Sequence, residues 1–219
     1  MKRYIFYSVI IFPLLSLLSC HKNNNTSIVV DDKSYIRNFE LTQKNPRNDT
    51  TIRIFSPKAI INPNNNDVEI IDSSIDIINN KSQDINIKAG NASMNNIKNI
   101  IRAYNNVYIS KLDNKNSFIR TNSFIWDLKE SIINMNSALD INFYNSTISS
   151  SYGSYDIASS ILNINNNIYN KSIFNSNGSK KYTIEIISDN AKWIKKNNTL
   201  EFKSDNKQVE TTIKFLSIK

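Results

Sequence analysis

The sequence predicts an all-β domain, on three observations. Apolar and polar residues alternate with period two rather than 3.6, β-branched side chains dominate the apolar positions, and a unit of about thirty residues recurs. Ile85 to Ala89, Leu139 to Phe143 and Thr199 to Lys203 carry the alternation most clearly. Asparagine makes up roughly one residue in six, against only 3 glycines. Its clusters at Asn62 to Asn66, Asn95–Asn96 and Asn165–Asn167 supply the turns, because Asn tolerates positive φ. The abundance itself reads mainly as compositional drift.

Residues 1–19 precede the domain and read as a signal peptide. Lys2 and Arg3 form a short positive region, and Tyr4 to Leu18 is an apolar stretch interrupted by Pro13. A membrane-spanning helix needs about 20 apolar residues, so the shorter run fits the apolar core of a secretory signal. Leu17, Leu18 and Ser19 before Cys20 resemble the bacterial lipobox, which makes Cys20 the expected lipidated residue. It is the only cysteine, so no intramolecular disulfide is available and the fold relies on its core. Residues 20–50 are polar and are expected to be a tether. The single histidine, His21, stands beside the lipidation site, which argues against a catalytic or metal role.

Residues 51–219 are expected to form one domain. With Ile87, Ile119 and Ile148 as position zero of three units, position two is small: Ala89, Thr121 and Ser150. Position five holds Ala92, Phe124 and Gly153, and position seven Met94, Trp126 and Tyr155. Further along come Ile101, Ile133 and Leu162, then Ala103, Met135 and Ile164, then Val107, Leu139 and Ile168. The last place holds Ile109, Ile141 and, breaking the rule, Asn170. Weaker units begin at Ile54 and Ile186; the second of these contains Trp193, Leu200 and Phe202. Within a unit, the step from position two to position five flips parity and predicts a bulge. A turn follows position seven, and a kink or turn separates the two later apolar pairs. One unit alone cannot bury its apolar face, whereas stacked units bury a continuous stripe. The stripe fits either a closed sandwich core or a groove between splayed sheets.

The formal net charge is +8, and removal of Lys2 and Arg3 with the signal leaves about +6. The charges are scattered, with no basic stripe interleaved with aromatics, so nucleic acid is not an expected partner. Anionic lipid headgroups remain compatible with the charge. No glycine-rich phosphate loop, nucleophile elbow or metal-ligand cluster occurs. Asp127 and Glu130 lie at an expected turn without a supporting pattern. No enzyme activity, catalytic residue, metal or cofactor is expected.

Three stretches carry a family resemblance: Ile87-Lys-Ala-Gly-Asn-Ala-Ser-Met94, Ile100-Ile-Arg-Ala-Tyr-Asn-Asn-Val-Tyr-Ile109 and Phe118-Ile-Arg-Thr-Asn-Ser-Phe-Ile-Trp126. They resemble the LptC/LptA (OstA-like) periplasmic bridge proteins of lipopolysaccharide export, and the size and order fit the LptC type. The resemblance covers roughly Ile52 to Lys203. Asn105 stands where the family often has the glycine of its G-x-V-x-I piece. The anchor departs from the uncleaved helix of familiar members.

The resemblance implies a twisted, open-ended, V-shaped β-jellyroll of antiparallel sheets, with an apolar groove for the acyl chains of lipopolysaccharide. It further implies an inner-membrane ABC transporter as donor and a neighbouring jellyroll docked by edge-strand addition. The expected groove residues are Ile87, Ala89, Met94, Ile101, Val107, Ile109, Ile119, Phe124, Trp126, Ile133, Met135, Leu139, Ile141, Ile148, Tyr155, Leu162, Ile164 and Ile168. The expected location is periplasmic and membrane-anchored, with the inner membrane favoured over the outer. On that reading, a crosslinker at Trp126 or Leu139 captures lipopolysaccharide, and one at Lys98 or Lys129 does not. The competing expectation is a structural or adhesive envelope lipoprotein with a closed core and no transport role.

Overall fold

A computed structural model describes residues 34–45, 50–62, 64, 67–79, 82–111, 117–176, 180–194, 196–197, 199–205 and 207–216. The expected signal peptide, Cys20 and His21 lie outside these residues. The described chain is all-β. In order the strands are β1 (Ser34–Asn45), β2 (Thr50–Asn62), β3 (Asp67–Asn79), β4 (Ser82–Asn95), β5 (Ile100–Lys111), β6 (Phe118–Asp127) and β7 (Ile132–Met135). They continue with β8 (Leu139–Phe143), β9 (Ser146–Ser150), β10 (Tyr152–Asp156), β11 (Ile161–Ser176), β12 (Lys180–Ile194), β13 (Thr199–Lys203) and β14 (Glu210–Leu216).

The polar tether expected over 20–50 is too long. Ser34–Asn45 is a strand, paired antiparallel with β2 from Ser34–Ile61 through Asn45–Thr50. As an edge strand it contributes one apolar side chain at a time, Phe39 and Leu41 packing on the core, so the local sequence stays polar.

A crease crosses the sheet and explains the parity flip of the repeat. Asn38, Asp72, the pair Asn105–Asn106 and the pair Asn166–Asn167 all have positive φ, between 51° and 68°. The ladders shift register at the same level, between Lys88 and Asn91, between Tyr104 and Val107, and between Asn165 and Ile168. On either side of the crease the strands pair along two routes. One layer runs β1-β2-β3-β4-β5-β6-β7-β10-β11-β12-β13. The other takes the opposite halves of the long strands and substitutes β8 and β9 between β6 and β11, with β14 beside β12. The result is an antiparallel β-jellyroll in which each long strand serves both layers. Asn165 to Asn167, expected as a turn, is instead the point where the continuous β11 bends.

Five of the six positive-φ residues at the crease are asparagine. A left-handed residue costs little when the side chain is short and polar, and the crease uses Asn where many chains would use Gly. Gly90 stands at the same level because a Cβ there would meet Asn105 O at 3.1 Å and Asn105 Cβ at 3.2 Å.

The small position-two residues have a second role that the spacing did not reveal. At the crease a carbonyl leaves the ladder and needs a donor. Ser56, Thr121, Ser150 and Ser188 each donate their hydroxyl to the carbonyl two residues on, at 2.7, 3.4, 3.2 and 3.1 Å. Ala89 has no hydroxyl, and Ser73 of β3 donates to its carbonyl instead, at 3.3 Å.

The turns after position seven also repeat. Asn95, Asp127 and Asp156 accept backbone N–H groups of the following turn at 2.8–3.1 Å. The exits, Asn99, Ser131 and Ser160, have φ of 53°, 60° and 56°. Successive turns stack, Leu128 N donating to Asn99 O at 2.9 Å and Ile157 N to Ser131 O at 3.0 Å. Asp127 and Glu130 belong to this turn structure.

The two layers face each other across a single core whose largest buried side chains are Trp126 and Phe124. Near the N-terminal edge the layers are tied by Asn45, whose amide donates to Leu128 O at 2.9 Å and Ser131 Oγ at 3.1 Å. Gly153 is set by packing: a Cβ there would meet Leu139 Cδ1 at 2.7 Å. Leu139 is itself 1% exposed and cannot swing away. Gly153→Val is expected to lose about 1–3 kcal/mol through overpacking, read as a lower urea midpoint; an unchanged midpoint would contradict this packing.

Candidate functional site

An apolar pocket lies between the two layers. About 780 Å3 of space there is unfilled by protein, part of it open to solvent. One wall is Ile85, Ile109, Ile119, Ile141 and Ile148 from the layer containing β8 and β9. The facing wall is Ile133, Met135, Tyr155, Leu162, Ile164, Trp193 and Leu200. Period-two alternation puts each set on one sheet face, and the cross-strand pairs Ile109–Ile119 and Ile119–Ile141 hold three of them in a row.

Seventeen of the eighteen expected groove residues are buried; Ile119 is half-buried and packs against the core. The structure brings Ile109, Ile119, Ile133, Met135, Ile141, Ile148, Tyr155, Leu162 and Ile164 to the pocket. Ile87, Ala89, Met94, Ile101, Val107, Phe124, Trp126, Leu139 and Ile168 are core residues away from its walls. Trp126 and Leu139, each 1% exposed, are therefore poor crosslinking positions, and Ile119 is a better one.

Eight wall residues were not among those expected: Ile85, Ser110, Ser117, Phe118, Asn142, Phe143, Trp193 and Leu200. Trp193 and Leu200 were visible in the fifth unit at the places of Trp126 and Ile133. Ile85 and Phe143 sit on alternating segments, whereas nothing in the sequence marks Ser117. The Phe143 and Trp193 rings meet edge-on at 4.8 Å and bring the two layers together at this side of the pocket. Asn170, which broke the apolar rule, faces inward and is 1% exposed. Its Oδ1 accepts the Ser172 hydroxyl at 3.1 Å.

Tyr155 carries the clearest electrostatic signature. Burial pushes its phenol from 10.0 up to about 12, against an opposing hydrogen bond with Ser160. The neutral form is the one the fold stabilises. Its contribution is complete below pH 10 and is lost as pH rises from about 10 to 12, because the unfolded chain ionises first. Tyr155→Phe is expected to remove up to about 2–3 kcal/mol of that alkaline loss. Denaturant titrations at successive pH values test this; an equal slope in both proteins would contradict it.

Among the described residues, no group of three or more His, Cys, Asp or Glu could hold a metal ion, and no helix is long and apolar enough to cross a membrane.

Fold and pocket together define the class: a two-layered β-jellyroll enclosing an apolar site. The family model for lipopolysaccharide-assembly, LptC-related proteins matches residues 8–169, and the chain belongs to that family as an LptC-type lipopolysaccharide transport protein. Among solved structures it is similar to LptH, the LptA-homologous periplasmic component of the conserved lipopolysaccharide transport device from Pseudomonas aeruginosa. The identity is 10%, the alignment covers 74% of this chain and 94% of that one, and the TM-score is 0.42. No curated protein matches it in sequence. The family match ends within β11, so Trp193, Leu200 and strands β12 to β14 lie beyond it.

Proposed function

We propose that this chain is a membrane-anchored periplasmic carrier. It takes lipopolysaccharide from an inner-membrane ABC transporter and passes it along a bridge of β-jellyrolls toward the outer membrane. The observation that carries the reading is the apolar pocket between the layers of an LptC-family jellyroll. Acyl chains crossing water need their surface covered, at about 25 cal/mol per Å2, and two facing apolar walls supply that cover. No covalent step is required; the transporter supplies the energy.

The anchor is acyl groups on Cys20, which favour membrane attachment by about 0.8 kcal/mol per buried methylene. Neighbouring bridge proteins dock by strand addition at the edges left unpaired among the described residues, β1 on one side and β13 with β14 on the other. Depletion of the protein is the test. Lipopolysaccharide accumulating at the inner membrane supports transport; an unchanged distribution overturns it and leaves a structural envelope lipoprotein.

A further inference from the structure

Few buried polar atoms in a native fold lack a hydrogen-bond partner, and leaving one unpaired costs about 1–3 kcal/mol. Among the described residues, four buried side-chain atoms have none: Ser117 Oγ, Trp126 Nε1, Asn170 Nδ2 and Trp193 Nε1. Two of these four belong to residues in the pocket wall, Ser117 and Trp193. Ser117 is 6% exposed, so solvent does not readily satisfy its hydroxyl.

The topology places the two near one another. Ser117 stands one residue before the first β6–β8 pair, Phe118–Asn142, so the antiparallel register puts it beside Phe143. The Phe143 ring is the one that meets Trp193, at 4.8 Å. The Ser117 hydroxyl and the Trp193 indole N–H thus belong to residues that both neighbour Phe143, in a wall whose other polar residues are Ser110, Asn142 and Tyr155. Both can donate, and a hydrocarbon chain alone satisfies neither.

We infer that Ser117 and Trp193 form the polar end of the pocket and bind the carbonyl oxygen of an acyl group whose chain lies along the apolar walls. This rests on the carrier reading and adds a specificity to it: the site distinguishes an ester or amide from bare hydrocarbon. Phe143, whose ring meets the indole at 4.8 Å, holds that ring in place.

The test uses the full chain in a fluorinated surfactant, which does not mix with hydrocarbon. The indole N–H resonances of its 2 tryptophans are followed during titration with methyl myristate and with pentadecane. The expected result is a shift of the Trp193 resonance with the ester, none with the alkane, and at least tenfold tighter binding of the ester. Ser117→Ala breaks no hydrogen bond of the fold and is expected to lose that preference while keeping alkane affinity. Equal affinity for the two ligands, or a preference unchanged in Ser117→Ala, overturns the inference. Lipopolysaccharide and a diacyl phospholipid are titrated in parallel. A Trp193 shift with either supports the site and identifies the source of the carbonyl, while a shift with neither overturns it. If lipopolysaccharide still crosslinks at Ile119 when these tests fail, the carrier reading stands and only the carbonyl site is lost.

Discussion

Trp126→Ala is expected to remove about 3–5 kcal/mol of folding stability, the largest loss from any one truncation in this core. Trp126 is 1% exposed and is the largest fully buried side chain. It sits on β6, opposite Ile101 on one side and Ile133 on the other, so its removal opens a void between three strands. Its indole N–H has no partner, and so the loss is one of packing. Trp126→Phe, which gives up that unsatisfied donor and keeps an aromatic ring, is expected to recover most of the stability. Urea unfolding of the two variants checks this. Equal losses would mean that the indole N–H, rather than the ring volume, matters.

Ile119→Asp is expected to lower lipopolysaccharide binding more than tenfold while the protein still folds. Ile119 is half-buried in the pocket wall, so a carboxylate there keeps access to water in the empty state. An acyl chain entering the pocket would strip that water, and desolvating a charge costs several kcal/mol, each 1.4 kcal/mol being tenfold in affinity. Ile119→Leu keeps the apolar wall and is expected to bind as the parent does. Binding by the Asp variant at the parent's level would place the ligand elsewhere.

The fold was legible because β periodicity is written residue by residue. The flip between positions two and five marked the crease, since a bend that keeps both halves facing inward must drop one residue from the alternation. Burial followed from the same parity, as Ile87, Ile101 and Ile164 show, each 0% exposed. Alternation does not say which buried residue meets a void and which meets another side chain. That depends on how two layers approach across the crease, a non-local matter, and only half of the expected groove residues reach the pocket. Strand β1 was missed because an edge strand carries too few apolar positions to reveal its period. Ser117 was missed because a lone serine before a strand has no distinguishing pattern; its importance lies in a partner it lacks. The serines at position two were recognised as small, but their hydrogen bonds to the crease carbonyls appear only once the backbone is bent.

The most direct test of the account places a photocrosslinking residue at Ile119 in living cells, with the outward positions Lys98 and Lys129 as controls. Capture of lipopolysaccharide from Ile119 and from neither control is the predicted result. Capture from the controls alone, with none from Ile119, would contradict an acyl-binding pocket between the layers.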